Sequence, residues 1–185
     1  MNGVIYIAGV YGVGKSTLCE RISRLINLPF YSAGDLISEQ VGETYGENKK
    51  VRNKEHNQDV LIECINKKMT EEPALILAGH FCILGNDDKP EELPTYVYEK
   101  INISSIVLLE AESCKIIKHL EKRDNKKYSR ELIDDFIARE RKSAIKISKI
   151  LNIPLKIYSM LFSDEDAGNI IDFIKEVYLE DIIRY

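Results

Sequence analysis

Gly9-Val10-Tyr11-Gly12-Val13-Gly14-Lys15-Ser16 decides how this chain is read. The stretch matches G-x-x-x-x-G-K-[ST] at every fixed position. It follows a short apolar run, Val4 to Ala8, and precedes Leu18, Ile22, Leu25 and Ile26 at helical spacing. A glycine-rich turn with an accidental Lys-Ser would not bring a strand and a helix with it. Glycines let the backbone wrap tightly, so that successive N–H groups point inward, and the helix that opens near Lys15 adds the positive end of its dipole. Such a loop seats a nucleoside triphosphate. The candidate residues are Gly9, Gly12, Val13, Gly14, Lys15, Ser16 and Thr17, with Lys15 reaching the β and γ phosphates, Thr17 supporting the α phosphate, and the Ser16 hydroxyl offered to Mg²⁺.

Outward from this loop, buried-strand runs alternate with helical patterns. Expected strands are Val4 to Ala8, Pro29 to Tyr31, Ala74 to Ala78, Ser105 to Leu109 and Leu155 to Tyr158. Between them come a short helix at Asp35 to Val41, a helix marked by Leu61, Ile62, Ile65 and Met69 that stops before Pro73, and one from about Glu112 to Lys122. A long amphipathic helix carries Ile133, Phe136, Ile137, Ala144, Ile147 and Leu151, and a closing helix carries Ile170, Ile171, Ile174 and Val177. Gly42 to Lys54 reads as a mobile loop, and Gly85 to Pro94 as an irregular one. The pattern predicts one α/β domain over residues 1–185: a P-loop NTPase three-layer α/β/α sandwich on a five-stranded parallel sheet, its crevice at the carboxyl ends of the strands.

Bulk properties agree with a single domain. The chain has 185 residues, 44% of them hydrophobic, enough for one packed core. Nothing approaches the roughly 18 to 20 apolar residues of a membrane span, and the N-terminus lacks a signal-peptide pattern, so cytoplasmic residence without membrane association is expected. The four cysteines, Cys19, Cys64, Cys82 and Cys114, lie far apart with no metal-ligand spacing and are expected to be reduced. Cys82, two residues after His80, is either a nucleophile or core filler. Net charge is −4, yet residues 115–149 hold 12 Lys or Arg against 6 Asp or Glu. A basic face is expected there, either a solvated helix surface or a seat for an anion.

Other residues must choose among P-loop chemistries. The Asn-Lys pairs at 48–49, 53–54, 66–67 and 125–126 all lack the Asp that completes a guanine-reading N-K-x-D signature. The chain is short for a motor ATPase. Its length, its late basic segment and its polar insertions suit a small-molecule kinase with two moving flaps.

In this setting the sequence resembles the nucleoside monophosphate kinases, most closely the archaeal-type adenylate kinases and their bacterial relatives. Gly9 to Thr17 is similar to the kinase P-loop. Leu28-Pro29-Phe30-Tyr31-Ser32-Ala33-Gly34-Asp35-Leu36 resembles the segment that opens the monophosphate-binding region. Gly79-His80-Phe81 stands where these enzymes place a strand-end motif, Leu93-Pro94 precedes a helix leading to Ile106-Val107-Leu108-Leu109, and Arg123-Asp124 and Arg130 are like the lid. The resemblance implies a monophosphate-binding insertion at about 32–70 and a short lid at about 123–130. It also implies ATP and Mg²⁺ as donor and cofactor, and a small acceptor, a nucleoside monophosphate such as AMP. One departure matters: Ala78 and Gly79 stand where the family usually ends its third strand in an Asp that orients Mg²⁺-bound water. The lid also has no cysteine set for zinc.

Phosphoryl transfer needs groups that neutralise the moving phosphate and hold both partners in line. Arg123 and Arg130 are the candidate catalytic clamps beside Lys15, with Arg139 and Arg141 as further arginines of the same segment, each also readable as a surface ion-pair partner. Gly34, Asp35 and His80 are the candidate substrate-binding residues. Asp35 would orient Mg²⁺ or the acceptor, or simply cap its helix, and Tyr11 faces the phosphates or packs. Two other readings stay open. The same donor site would serve a kinase of another small molecule or of a nucleic-acid 5′ end, and Ala78 suits a nucleotide-binding switch or accessory ATPase that acts on a partner.

Overall fold

The computed structural model describes residues 2–41, 54–85 and 89–183. The expected mobile loop at 42–54 lies outside them except for Lys54, and so does part of the expected insertion at 32–70. The elements in chain order are β1 (Gly3–Ala8), α1 (Lys15–Ile26), β2 (Phe30–Ser32), α2 (Ala33–Val41), α3 (Lys54–Lys68), β3 (Ala74–Gly79) and β4 (Cys82–Leu84). They continue with β5 (Pro90–Glu92), α4 (Thr95–Lys100), β6 (Ile103–Glu110), α5 (Ser113–Asp124), α6 (Arg130–Leu151), β7 (Leu155–Ser159) and α7 (Glu165–Ile183).

Five strands form one parallel sheet in the order β2-β3-β1-β6-β7. This is the expected five-stranded α/β architecture, and its cause is visible along β1. Ile5 and Ile7 point into one core with α1, α5 and α7, while Val4, Tyr6 and Ala8 point into the other with α2, α3 and α4. A strand buried on both faces has no polar side to present, hence the continuous apolar run. Each fully buried Ile, Leu or Val stabilises by ~1.5–3 kcal/mol, so these short strands are held by their faces as much as by their ladders.

Helix α6 belongs to both cores. Ile133 and Phe136 near its start join the first, and Ala144 and Ile147 join the second. Ser129 caps it by accepting from the Leu132 N–H at 3.1 Å. The helix expected after Leu93-Pro94 is α4, with Pro94 as its N-cap. One element departs from expectation. The segment read as an irregular loop at Gly85 to Pro94 contains β5, which pairs antiparallel with β4, Cys82 opposite Glu92 and Leu84 opposite Pro90. Three-residue strands carry too little alternation to register as a pattern, and Pro90 reads as a breaker; it is tolerated in so short a ribbon.

The strand order reverses at β1, whose neighbours are β3 and β6. Ligand crevices of open parallel sheets form at such a point, beyond the carboxyl ends of the strands. Ala8 pairs with Gly79, so the loop leaving β1 and the segment leaving β3 start side by side.

Candidate active site

The phosphate loop runs from Gly9 to Gly14, and α1 begins at Lys15 with Gly14 as a left-handed N-cap that has no side-chain cap. Its first N–H groups are thus left for a ligand. Gly12, at φ +79°, needs glycine twice over: the backbone is left-handed there, and a Cβ would stand 2.8 Å from Leu120 Cγ of α5. The Lys15 ammonium donates to the Gly9 carbonyl at 2.7 Å and the Val10 carbonyl at 3.0 Å, folded back over its own loop. Ser16 and Thr17 are exposed at the helix start.

A cavity of about 650 Å³ opens from this loop, within the ordinary range for small-ligand sites. Gly12, Gly14, Lys15, Ser16 and Thr17 line its phosphate end, Gly34, Asp35 and His80 line its side, and Arg123 reaches it from the end of α5. Gly9 and Val13 stand behind the loop rather than on the wall, Val13 being fully buried in the core. Arg123 donates from Nη2 to Asp124 Oδ2 at 2.7 Å and pairs with the same carboxylate through Nε. The Tyr128 hydroxyl donates to Asp124 as well, at 2.6 Å. The short 124–129 segment therefore anchors the carboxylate that aims Arg123.

The other arginines lie elsewhere. Arg130 is not on the cavity wall; its side chain is 75% exposed and pairs with Asp134 one turn on, at 3.5 Å. Arg139 is held by Asp135, and Arg141 by Glu110 at 2.7 Å from Nε. Lid position in the sequence suggested a clamp at 130, but helical geometry satisfies that charge locally. Gly34 and Asp35 sit at the exposed start of α2, where the Asp35 N–H lies 3.4 Å from Ser32 Oγ. Asp35 is the sole carboxylate among the described lining residues.

Packing holds the segment after β3 in place. The carbonyl of His80 accepts from both the Tyr6 and Tyr98 hydroxyls, at 2.8 and 3.0 Å. Gly79 is small by necessity, since a Cβ there would lie 2.3 Å from the Tyr6 hydroxyl. The Tyr11 ring packs on the His80 imidazole with centroids 4.3 Å apart and against Phe136 at 5.4 Å, so Tyr11 both packs and lines the cavity. Burial pushes both tyrosine hydroxyls well above their usual value and the Cys82 thiol up to about 12. Cys82 is thus a neutral, buried thiol, its sulfur 3.6 Å from the Ser143 hydroxyl, and not a poised nucleophile.

Several contributors escaped the sequence reading. Glu140 of α6 is 1% exposed, and its carboxylate accepts from the Phe81 and Cys82 N–H groups at 2.9 and 2.7 Å. Spacing could have found it, since Phe136, Glu140 and Ala144 fall on one helix stripe. Asn57 and Gln58, at the start of α3, line the far end of the cavity with Ile37, Leu61, Val97 and Ile101. Gln58 is 4% exposed, and its side-chain oxygen is buried with no hydrogen-bond partner among the described residues. Near the phosphate end, His119 shares a hydrogen bond with the Gly12 carbonyl at 3.0 Å and meets the Phe162 ring edge-on at 5.0 Å. No spacing rule flags these, because they come from elements far apart in the chain.

The donor atoms available to Mg²⁺ are hard oxygens. Ser16 and Asp35 both border the cavity, and Mg²⁺ takes one or two protein oxygens beside phosphates and water. No cluster of three or more His, Cys, Asp or Glu able to hold a metal occurs among the described residues, and none of their helices is long and apolar enough to cross a membrane.

Comparison with known proteins places this architecture. Similar solved structures include a shikimate kinase from Bacteroides thetaiotaomicron, with TM-score 0.59 and 17% identity over 95% of this chain and 98% of that one. A gluconokinase from Sinorhizobium meliloti 1021 aligns with TM-score 0.60 and 12% identity over 96% of this chain and 97% of its own. A shikimate kinase from Acinetobacter baumannii, in complex with shikimate, aligns with TM-score 0.60 and 13% identity over 98% and 95%. At such identities the likeness is one of fold, that of small-molecule P-loop kinases. No curated protein sequence matches the chain. The family model described as AAA domain matches residues 8–136, well over half of the chain, and the protein belongs to that family.

Proposed function

We propose that this protein transfers the γ-phosphate of ATP, with Mg²⁺, to a nucleoside monophosphate such as AMP. The observation that carries the reading is one cavity with two unlike ends: a phosphate loop at one, and at the other an apolar chamber with two buried amides, Asn57 and Gln58. A nucleobase is flat, largely apolar and edged with donors and acceptors, so it suits an amide whose oxygen lacks a partner among the described residues. A carboxylate acceptor such as shikimate would call for a cation in that chamber, and the described lining residues offer Lys or Arg only at Lys15 and Arg123. An acceptor phosphate is already an oxyanion at neutral pH and needs no general base. A sugar or hydroxy-acid hydroxyl would need one, and Asp35 would have to supply it.

In this reading ATP draws the Lys15 ammonium off the Gly9 and Val10 carbonyls, exchanging neutral acceptors for charge-assisted bonds to phosphate. Ser16 and Asp35 would hold Mg²⁺, which neutralises charge on the transferring group when bound. Arg123, steadied by Asp124, has N–H donors left for phosphate oxygens and would bridge donor and acceptor. His119, which lines the cavity beside the Gly12 carbonyl, would seat the donor base, with the Phe162 ring packed edge-on behind it. Arg130 has no direct part in transfer while Asp134 holds it, and joins the site only if the lid rearranges.

The test is an acceptor panel. Purified protein is incubated with Mg²⁺ and ATP plus AMP, CMP, GMP, UMP, a deoxynucleoside monophosphate, shikimate, gluconate or nothing, and ADP and phosphorylated acceptor are measured. Diphosphate formed with a monophosphate and lost in Lys15→Ala supports the reading. Transfer to a hydroxyl acceptor contradicts it, and ADP formed equally without acceptor favours the accessory ATPase that Ala78 allows.

A further inference from the structure

Glu140 is the charged member of an otherwise uncharged buried stripe on α6, formed by Ile133, Phe136, Ser143, Ala144 and Ile147. A buried carboxylate costs several kcal/mol unless hydrogen bonds and an opposite charge offset it. At Glu140 the compensation comes from backbone. Phe81 and Cys82 donate at 2.9 and 2.7 Å, and the Lys15 ammonium supplies the opposite charge. Gly9 is the first residue of the phosphate loop, and Phe81 follows His80 on the cavity wall. One carboxylate on α6 thus holds the strand-end segment, which starts beside the donor loop where Ala8 pairs with Gly79.

We infer that Glu140 is a positioning residue, which holds the phosphate loop and the His80 segment in a fixed register so that donor and acceptor phosphates can meet in line. This rests on the phosphotransfer reading proposed above. It is not a catalytic residue, since it lies behind the wall of the cavity and touches no ligand space. A carboxylate serves this role better than a neutral side chain because both oxygens accept, matching the two convergent N–H donors. Protonation would turn one oxygen into a donor facing other donors and loosen the register.

Burial pushes the Glu140 carboxyl up to about 7, against the lowering effect of its amide partners and Lys15. Around it stand Lys15 from the start of α1, Tyr6 of β1, Tyr98 of α4, Cys82 of β4 and, one residue before Phe81, His80. The two tyrosines and the thiol stay neutral across pH 5–8. Only His80 needs to be separated from Glu140 in a titration near neutrality.

The experiment has a part that needs no turnover. In the wild-type protein the backbone amide NMR shifts of Phe81 and Cys82 are followed from pH 5 to 9. A shared step near pH 7 is expected, present in His80→Asn and absent in Glu140→Gln; flat shifts, or a step that leaves with His80, overturn the assignment whatever the protein phosphorylates. With the acceptor found by the panel, Glu140→Gln should lower kcat about 10- to 100-fold, the scale of a misplaced reacting group. KM for ATP should change less than kcat, and the variant should lack the rise in rate through neutral pH. Wild-type kcat and an unchanged pH profile in Glu140→Gln would overturn the proposal. Should that variant not fold, the wild-type and His80→Asn titrations still decide.

Discussion

The two ends of the cavity are built in opposite ways. The phosphate end is one contiguous octapeptide whose chemistry lies in backbone N–H groups, and the few side chains it needs, Lys15 and Ser16, are its last two residues. The other end, where we propose that the acceptor binds, is assembled from side chains of β1, α2, α3 and α4, with Tyr6, Ile37, Gln58, Leu61 and Tyr98 meeting only in the folded chain. A backbone-built site writes itself into consecutive letters, because Gly9 and Gly12 combine a positive φ with no room for a Cβ. A side-chain-built site is distributed, and any one of its residues reads as ordinary core.

Breaking each end in turn should give effects of different size and kind. Lys15→Ala comes first, with a fall in transfer on the order of 10³-fold, the upper range for loss of one donor to developing charge, measured as kcat/KM with the preferred acceptor. Arg123→Ala should cost about 10²-fold in kcat by the same argument, while Arg130→Ala, which loses only an exposed pair with Asp134, should stay within about twofold. Equal losses at both would mean that the lid closes over the site and brings Arg130 in.

At the acceptor end the signature is a split between stability and affinity. Gln58→Leu removes an amide oxygen that has no partner among the described residues, so thermal unfolding should move up, by ~1 kcal/mol. The acceptor KM should rise about tenfold, equivalent to ~1.4 kcal/mol of lost binding. A lower melting temperature with unchanged KM would remove Gln58 from the acceptor site. Asp35→Asn sharpens the same end: a loss of tenfold or less fits an acceptor that brings its own oxyanion, whereas a loss beyond about 10²-fold with unchanged Mg²⁺ requirement would mark a general base and a hydroxyl acceptor.

A further expected effect concerns stability against pH. The native Glu140 carboxyl holds its proton up to about 7, whereas an unfolded glutamate releases it near its ordinary value. Between those points the native state binds more protons than the unfolded state, so the stability contributed at low pH is lost as pH rises through about 7. Wild type should therefore lose melting temperature relative to Glu140→Gln across that window, and parallel curves would contradict the buried carboxylate's part in it.

Much of the fold was legible because strands buried on both faces leave continuous apolar runs, as at Ile5, Ile7, Ile76 and Val107, and the helices between them keep their period. The β4–β5 ribbon was not, since three residues per strand give no period and the partners are joined across Asn, Asp and Pro. At the site, the loop from Gly9 to Thr17 could be named by spacing, and Gly34, Asp35, His80 and Arg123 by resemblance; all four border the cavity, though their roles remain proposals. Arg130 illustrates the limit. Sequence gives its place at the end of the lid but not that α6 begins there and pairs it with Asp134 at 3.5 Å, off the cavity wall. Glu140 illustrates the reverse, a charged letter on an apolar stripe whose meaning appears only when the Phe81 and Cys82 amides converge on it.

Transfer of a phosphoryl group from donor to acceptor within one cavity, as we propose, can be watched in a single turnover, with protein in excess over γ-labelled ATP, Mg²⁺ present, and the label followed with and without a nucleoside monophosphate. Label is expected on the terminal phosphate of a nucleoside diphosphate, dependent on the acceptor and absent in Lys15→Ala. Label released as inorganic phosphate at the same rate with or without acceptor would contradict it.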